Sequence, residues 1–154
     1  MATLTGMLTG MEIRRLGPGD VDAVVDASSL FDGTPSRDLA LRFLTLEGHH
    51  LLLASSGGAD IGFVSGVETS HPDKGTEMFL YELFVEEEHR RRGIGRALVV
   101  ALAELARERG CYGMWVGTEP DNLPAIATYR AAGSAPIEPF VSLTWDIRPG
   151  AAPG

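Results

Sequence analysis

The chain has 154 residues, 44% of them hydrophobic, which suits one domain with a substantial core and is too short for two ordinary domains. Its 13 basic and 21 acidic residues give a formal net charge of -8. This charge argues against nucleic acid or an anionic membrane as a partner, because both need a positive protein surface. It favours a cationic small molecule, although solubility alone also explains acidity in most proteins.

The sequence predicts a cytoplasmic protein. Its longest apolar run, residues 97–103, is far shorter than the roughly 20 residues that span a bilayer. The first ten residues lack the basic start of a signal peptide, and the single cysteine, Cys111, cannot form an internal disulfide. We expect residues 1–10 to be a flexible extension, residues 11–148 to be one domain, and residues 149–154 to be a disordered tail.

The first part of the chain predicts a strand followed by two helices. Residues 12–16 alternate as a strand does, and Asp20, after a turn of glycine and proline, is placed to cap a helix over residues 21–29. Residues 37–45 have apolar side chains at helical spacing. The chain therefore opens as strand, helix, helix.

The rest of the chain predicts alternating strands and helices. Residues 70–76 are predicted as a loop, and Gly110 stands where a helix over residues 93–109 would end. An exposed closing strand would favour a homodimer. The remaining predicted elements are strands at 50–55, 61–68, 79–85, 111–118 and 141–147 and a helix at 124–132.

Three arginines and two glycines stand directly before or at the start of the helix predicted at residues 93–109. A helix N-terminus exposes unpaired N–H groups and a partial positive charge, so anions bind there. Gly93 and Gly95 would leave no side chain between those amides and a phosphate. The pattern predicts a pyrophosphate site, and the alternative is a solvated basic surface.

The same residues match a motif of the GCN5-related N-acetyltransferase (GNAT) superfamily, which the chain resembles. That motif leads from a strand through Q/R-x-x-G-x-G/A into a helix, here Arg90, Gly93 and Gly95 after the LFV strand. The family's second motif, N-x-x-A-x-x-x-Y-x-x-x-G, follows from Asn122 to Gly133, although Ser134 replaces the aromatic residue that usually comes next. The resemblance implies an α/β (α+β) GNAT fold, a mixed and mostly antiparallel sheet with helices on both faces.

Within this superfamily the chain is most similar to the aminoglycoside 3-N-acetyltransferases. The shared features are RLGPGDV near the start, Y-E-L-x-V from Tyr81 to Val85, EHRRRGIG, and the W-D-I ending. The resemblance implies an enzyme that moves an acetyl group from acetyl-CoA to an amine of a cationic molecule. The most specific acceptor that it implies is an aminoglycoside antibiotic, whose acetylation would confer antibiotic resistance. A polyamine or a protein N-terminus is the alternative acceptor.

The resemblance also implies roles for individual residues. The backbone of residues 83–85 would pair with the pantetheine arm, and residues 90–96 would hold the pyrophosphate. Tyr129 matches the general acid that protonates the departing thiolate, and packing at a core edge is its alternative role. The complete cofactor set is Leu83, Phe84, Val85, Arg90, Arg91, Arg92, Gly93, Ile94, Gly95, Arg96, Asn122, Ala125 and Tyr129.

A cationic acceptor needs carboxylates. Glu82, on the strand that meets the acetyl group, is the candidate general base, directly or through water, and alternation predicts that it points away from Tyr81 and Leu83. A solvated strand glutamate is the alternative. We expect no metal, because His49 and His50 are not spaced with other candidate ligands. Further candidate contacts for the amines of the substrate are Glu119, Asp121 and Asp146.

Two functional classes remain open from the sequence. The first is the acetyltransferase, and the second is an acyl-CoA-binding module that has lost activity. The presence of Tyr129 and Glu82 favours the enzyme.

Overall fold

A computed structural model describes residues 10–151, so most of the predicted extension and the end of the predicted tail lie outside the described residues. The five strands form one sheet in sequence order, antiparallel except for the last pair, which is parallel. Helices pack on both faces, which confirms the predicted fold class. The elements are β1 (Met11–Arg15), α1 (Val21–Asp26), α2 (Arg37–Thr45), β2 (His49–Ser56), β3 (Ala59–His71), β4 (Gly75–Val85), α3 (Ile94–Glu108), β5 (Met114–Trp115) and α4 (Leu123–Ala131).

Helix α3 covers one face of the sheet. Its Leu98 and Leu102 are completely buried in the same core as Met78 and Leu80 of β4. Gly66 in β3 permits this close packing, because a Cβ atom there would lie 2.8 Å from Leu102 Cδ1. The apolar stripe of α3 therefore fixes the helix against the centre of the sheet.

The predicted end of α3 is confirmed. Gly110 has a φ of +77°, which favours glycine, and Cys111 N–H donates to the Ala106 carbonyl at 2.9 Å. These contacts close the last turn of the helix.

Helices α1 and α2 cover the opposite face, where the rings of Phe31 and Phe63 stack at 4.5 Å. The predicted cap of α1 is wrong in its detail. The carboxylate of Asp20 accepts from Gly17 N–H at 2.8 Å and from Arg14 at 2.5 Å, so it closes the turn before the helix and does not cap it. Helix α1 ends earlier than predicted, and a 3-10 turn at Ser28–Leu30 follows.

Several predicted boundaries in the sheet are also wrong. Strands β3 and β4 continue through the predicted loop until His71 pairs with Gly75, so a tight hairpin replaces the loop. The predicted strand at residues 111–118 shrinks to Met114–Trp115, since only these two residues pair with β4. Beyond them the chain leaves the sheet.

The predicted closing strand at residues 141–147 is absent from the described part of the chain, where this segment is irregular. Its apolar side chains are exposed, Trp145 by 78% and Ile147 by 89%. The physical reason is that a strand needs a paired neighbour, and β5 is too short to provide an edge for it.

A partly buried network of hydrogen bonds and ion pairs around His50 joins β1, β2 and β3 to the end of α3. His50 is 2% exposed, and its Nδ1 accepts from Arg15 at 3.0 Å while its Nε2 donates to Glu68 Oε1 at 2.7 Å. Arg109 donates to the same carboxylate at 2.6 Å. Because Nδ1 faces a guanidinium, the geometry suits the neutral imidazole.

This network makes stability sensitive to acid. Burial lowers the pKa of His50 below its ordinary value of 6.5, against the opposing effect of Glu68. The unfolded chain therefore binds a proton more readily, so stability is complete above about pH 6.5 and declines as the pH falls towards the lower folded value. Below about pH 6.5 we expect the free energy of unfolding of the wild type, measured by thermal melting, to fall by at most about 1.4 kcal/mol per pH unit through His50 alone. The free energy of unfolding of His50→Gln should fall less over the same pH range. His49→Gln, at the neighbouring position, should behave as the wild type.

Candidate active site

Strand β4 carries a bulge at Tyr81. Leu80 pairs with Gly66 and Glu82 pairs with Ser65, so Tyr81 has no partner in β3. The extra residue reverses the alternation of side chains. Glu82 therefore faces the side of α1 and α2, whereas strict alternation from Leu80 would bury it beneath α3.

The bulge corrects part of the predicted orientation of Glu82. Leu83 packs against the core on the α3 side, opposite to Glu82 as predicted. Tyr81, however, lines the same cavity as Glu82, so these two side chains do not point apart. This change follows from the bulge, which the alternation of residue types does not reveal.

The second half of β4 has an open edge. Pairing with β5 is limited to Met78 with Met114 and Phe79 with Trp115, and no further β5 partner exists within residues 10–151. The backbone of residues 80–85 is therefore available on this side, as an extended ligand arm requires. One group is already engaged, because Val85 O accepts from Arg90 Nε at 2.9 Å.

The loop between β4 and α3 turns through two left-handed residues, Arg91 with a φ of +61° and Gly93 with a φ of +78°. Gly93 is the N-terminal cap of α3, so the free amides of the first helical turn begin beside it. Arg90 is held by β4 and lies 5.7 Å from the centre of the Phe84 ring. The exposed members of the predicted anion site are Arg90, Arg91, Arg92, Gly93 and Arg96.

Two predicted cofactor residues have packing roles. Ile94 is 5% exposed, so its side chain belongs to the core and only its backbone faces the anion site. A Cβ atom on Gly95 would lie 3.2 Å from Thr128 Cγ2 of α4 and 3.9 Å from Leu83 Cδ2. Gly95 thus allows β4, α3 and α4 to meet, in addition to leaving its amide accessible.

Helix α4 places Tyr129 next to this junction. Tyr129 follows Thr128 and packs, partly buried, against the α3 core. Burial raises the pKa of its hydroxyl, so the group keeps its proton. Asn122 Oδ1 accepts from Ala125 N–H at 3.2 Å, which identifies Asn122 as the cap of α4.

A cavity of about 760 Å³ lies between β3, β4 and the first two helices. Glu82, Asp32 and Ser65 contribute polar groups to it. Glu82 is exposed as a residue, but partial burial of its carboxyl raises its pKa, and the negative charge of Asp32 adds to this effect. A carboxylate in this environment is a better proton acceptor than an ordinary surface glutamate.

Asp32 and Ser65 are not among the site residues predicted from the sequence. Asp32 is a single acidic residue in a loop, and no spacing relates it to Glu82. Ser65 carried a weak signal, because it is one polar residue inside the otherwise apolar and glycine run of residues 61–67. Only the fold brings both to one cavity.

The other predicted acidic contacts do not line this cavity. Glu119 and Asp121 are exposed in the connection before α4. Asp146 forms an ion pair with Arg148 in the irregular C-terminal segment. Within residues 10–151, no group of three or more His, Cys, Asp or Glu side chains could hold a metal ion, and no helix has the length and apolar character of a membrane span.

Comparison with known proteins matches this geometry to a family. A sequence model of the Acetyltransferase (GNAT) family matches residues 23–133, more than half of the chain. N-acetyltransferase 8 of Homo sapiens is 31% identical over 101 residues, which are 65% of this chain and 44% of that protein. The chain spans about half the length of the curated relatives it matches.

Solved structures show the same fold. An aminoglycoside acetyltransferase from an uncultured soil metagenomic sample, in complex with sisomicin, aligns with a TM-score of 0.82 at 18% identity, covering 90% of this chain and 97% of that chain. The aminoglycoside N-acetyltransferase AAC(6')-Iy in complex with CoA aligns with a TM-score of 0.74 at 22% identity, covering 92% and 99%. At these identities the likeness establishes the fold.

Proposed function

The chain belongs to the GNAT acetyltransferase family, and on this premise we propose that it transfers an acetyl group from acetyl-CoA to the amine of a cationic small molecule. GNAT acetyltransferases use acetyl-CoA, and one of the solved structures with the same fold contains CoA. The observation that carries the proposal is the meeting of three elements at Gly95, where the open edge of β4, the start of α3 and helix α4 converge. An extended thiol arm with an anionic end fits this junction.

The residues divide the chemistry between them. Acetyl-CoA supplies an activated acetyl thioester. Glu82 accepts the proton that the acceptor ammonium must lose before its nitrogen can attack the carbonyl carbon. As the carbon–sulfur bond breaks, Tyr129 donates its hydroxyl proton to the departing sulfur, and the nitrogen gives up its second proton as the amide forms, which restores the hydroxyl of Tyr129. The amides near Gly93, with Arg91 and Arg92, hold the pyrophosphate.

The finer form of the proposal is a cytoplasmic enzyme that acetylates an aminoglycoside at a 3-amino group and so confers resistance. The fold neighbours support an aminoglycoside as the first acceptor to test, and one of them holds sisomicin. Polyamines and protein N-termini are the alternative acceptors. A homodimer also belongs to the proposal, supported by the exposed apolar side chains of residues 141–147.

Thiol release from acetyl-CoA, measured against a panel of amines, tests the function. The panel contains sisomicin, spermidine, a short peptide with a free N-terminus and simple primary amines. We expect amine-dependent thiol release with at least one of them, and mass spectrometry of the product would locate the acetyl group. Tight binding of acetyl-CoA without any amine-dependent release would identify an inactive acyl-CoA-binding module.

The role of Glu82 leads to a test based on pH. Glu82→Gln keeps the shape and removes the base, so we expect kcat/KM for the best amine to fall at least about tenfold, with acetyl-CoA affinity unchanged. In the wild type, kcat/KM should rise with pH as Glu82 loses its proton. Asp32→Asn removes the charge that helps to raise this pKa, so the rising limb should move to lower pH. An unchanged limb in Asp32→Asn would mean that another group, such as the amine itself, controls it.

A further inference from the structure

The cavity beside Glu82 is mostly apolar. The rings of Phe31, Phe43 and Phe63 line it together with aliphatic side chains of α2 and β2. Its polar side chains are few, namely Glu82, Asp32, Ser65 and Thr34, apart from the hydroxyl of Tyr81. Glu82 and Asp32 are its only charged side chains, so an acceptor with more than two ammonium groups would leave at least one without a carboxylate partner in the cavity.

Ser65 indicates where the polar end of the acceptor lies. It is 4% exposed, and its Oγ has no hydrogen-bond partner within residues 10–151. Buried hydroxyls in folded proteins are almost always paired, so Ser65 Oγ, on a residue that lines the cavity, retains a free capacity to form a hydrogen bond. Ser65 pairs with Glu82 across β3 and β4, which places its hydroxyl and the proposed base on the same side of the sheet.

We propose that the acceptor is a primary amine carried on a single apolar arm, with its nitrogen between Glu82 and Ser65 and its arm among Phe31, Phe43 and Phe63. This inference rests on the proposed acetyl transfer and names a monoamine, in place of an aminoglycoside, as the acceptor. Ser65 Oγ accepts a hydrogen bond from the amine and so orients the nitrogen while Glu82 takes a proton. The arm displaces water from the aromatic walls and contributes affinity in proportion to its apolar area.

A homologous series of amines tests the arm. From n-propylamine to n-hexylamine we expect kcat/KM to rise about threefold to fourfold for each added methylene, the value for complete burial of that group. The matched pair n-pentylamine and 1,4-diaminobutane has the same length, and the diamine replaces the terminal methyl by a second amine. The apolar member of the pair should be preferred, and 2-phenylethylamine should also be acetylated.

Ser65→Ala tests the position of the nitrogen. Because Ser65 Oγ has no partner to lose within the described residues, the melting temperature should hardly change. We expect kcat/KM for n-pentylamine to fall about 3- to 10-fold, the usual effect of one neutral hydrogen bond, with KM for acetyl-CoA unchanged. Ser55→Ala, on β2 outside the cavity, is the control and should match the wild type. Unchanged kinetics in Ser65→Ala would overturn the role of Ser65.

The possible outcomes distinguish failure of this inference from failure of the proposed acetyltransferase function on which it rests. Preference for sisomicin or 1,4-diaminobutane over n-pentylamine, or a flat alkylamine series, would overturn the apolar-arm acceptor and leave the acetyltransferase standing. Absence of thiol release with every amine, despite acetyl-CoA binding, would overturn both.

Discussion

Tyr129→Phe is expected to lower kcat by about 10- to 10,000-fold while acetyl-CoA binding is retained. The lower limit applies if water replaces the lost acid in part, and the upper limit applies if the hydroxyl is the only proton source near the sulfur. The ring packs against the α3 core, and phenylalanine preserves that packing. The loss should therefore appear in turnover and not in stability.

The acid role has a second, independent signature in the pH profile. Burial raises the pKa of Tyr129 above its ordinary value of 10.0, so the hydroxyl stays protonated through neutral and mildly alkaline pH. Wild-type kcat should show no alkaline decline from this group below about pH 10. Tyr112→Phe, at an exposed position after α3, is the matched control. Wild-type turnover in Tyr129→Phe would leave Tyr129 with a packing role only.

The sequence predicted the elements that local pattern determines. The apolar stripe of α3 and the glycine at its end were sufficient for that helix, and the paired motifs around Gly93 and Tyr129 identified the family. Alternation also located the strands of the central sheet. These features depend on neighbours along the chain, which a single sequence displays.

Features that depend on distant partners were missed. The bulge at Tyr81 arises from pairing with β3, and it alone determines which face receives Glu82. Asp32 lies in the cavity because α1 and α2 pack onto the sheet and bring the loop between them to Glu82. The prediction of a closing strand was wrong for the same reason. Apolar and polar residues alternate over residues 141–147, but this segment has no partner strand in the described part of the chain.

Gly93→Glu should abolish detectable acetyl-CoA binding. The new carboxylate would stand at the cap of α3, where the pyrophosphate is proposed to bind. Two like charges about 4 Å apart at an effective dielectric constant near 20 repel by about 4 kcal/mol, which corresponds to about a thousandfold in affinity. Calorimetry with acetyl-CoA measures this directly.

Gly93→Ala separates charge from backbone strain. Both variants place a side chain at a φ of +78°, which costs about 1–2 kcal/mol of folding stability, so their melting temperatures should fall together. Only the glutamate variant should lose binding, and equal losses in both would assign the effect to the distorted loop. Gly95→Glu cannot serve in this comparison, because its Cβ atom would lie 3.2 Å from Thr128 Cγ2 of α4 and would require that side chain to shift. The two glycines of the motif therefore have different physical functions, one at the anion and one at the junction of three elements.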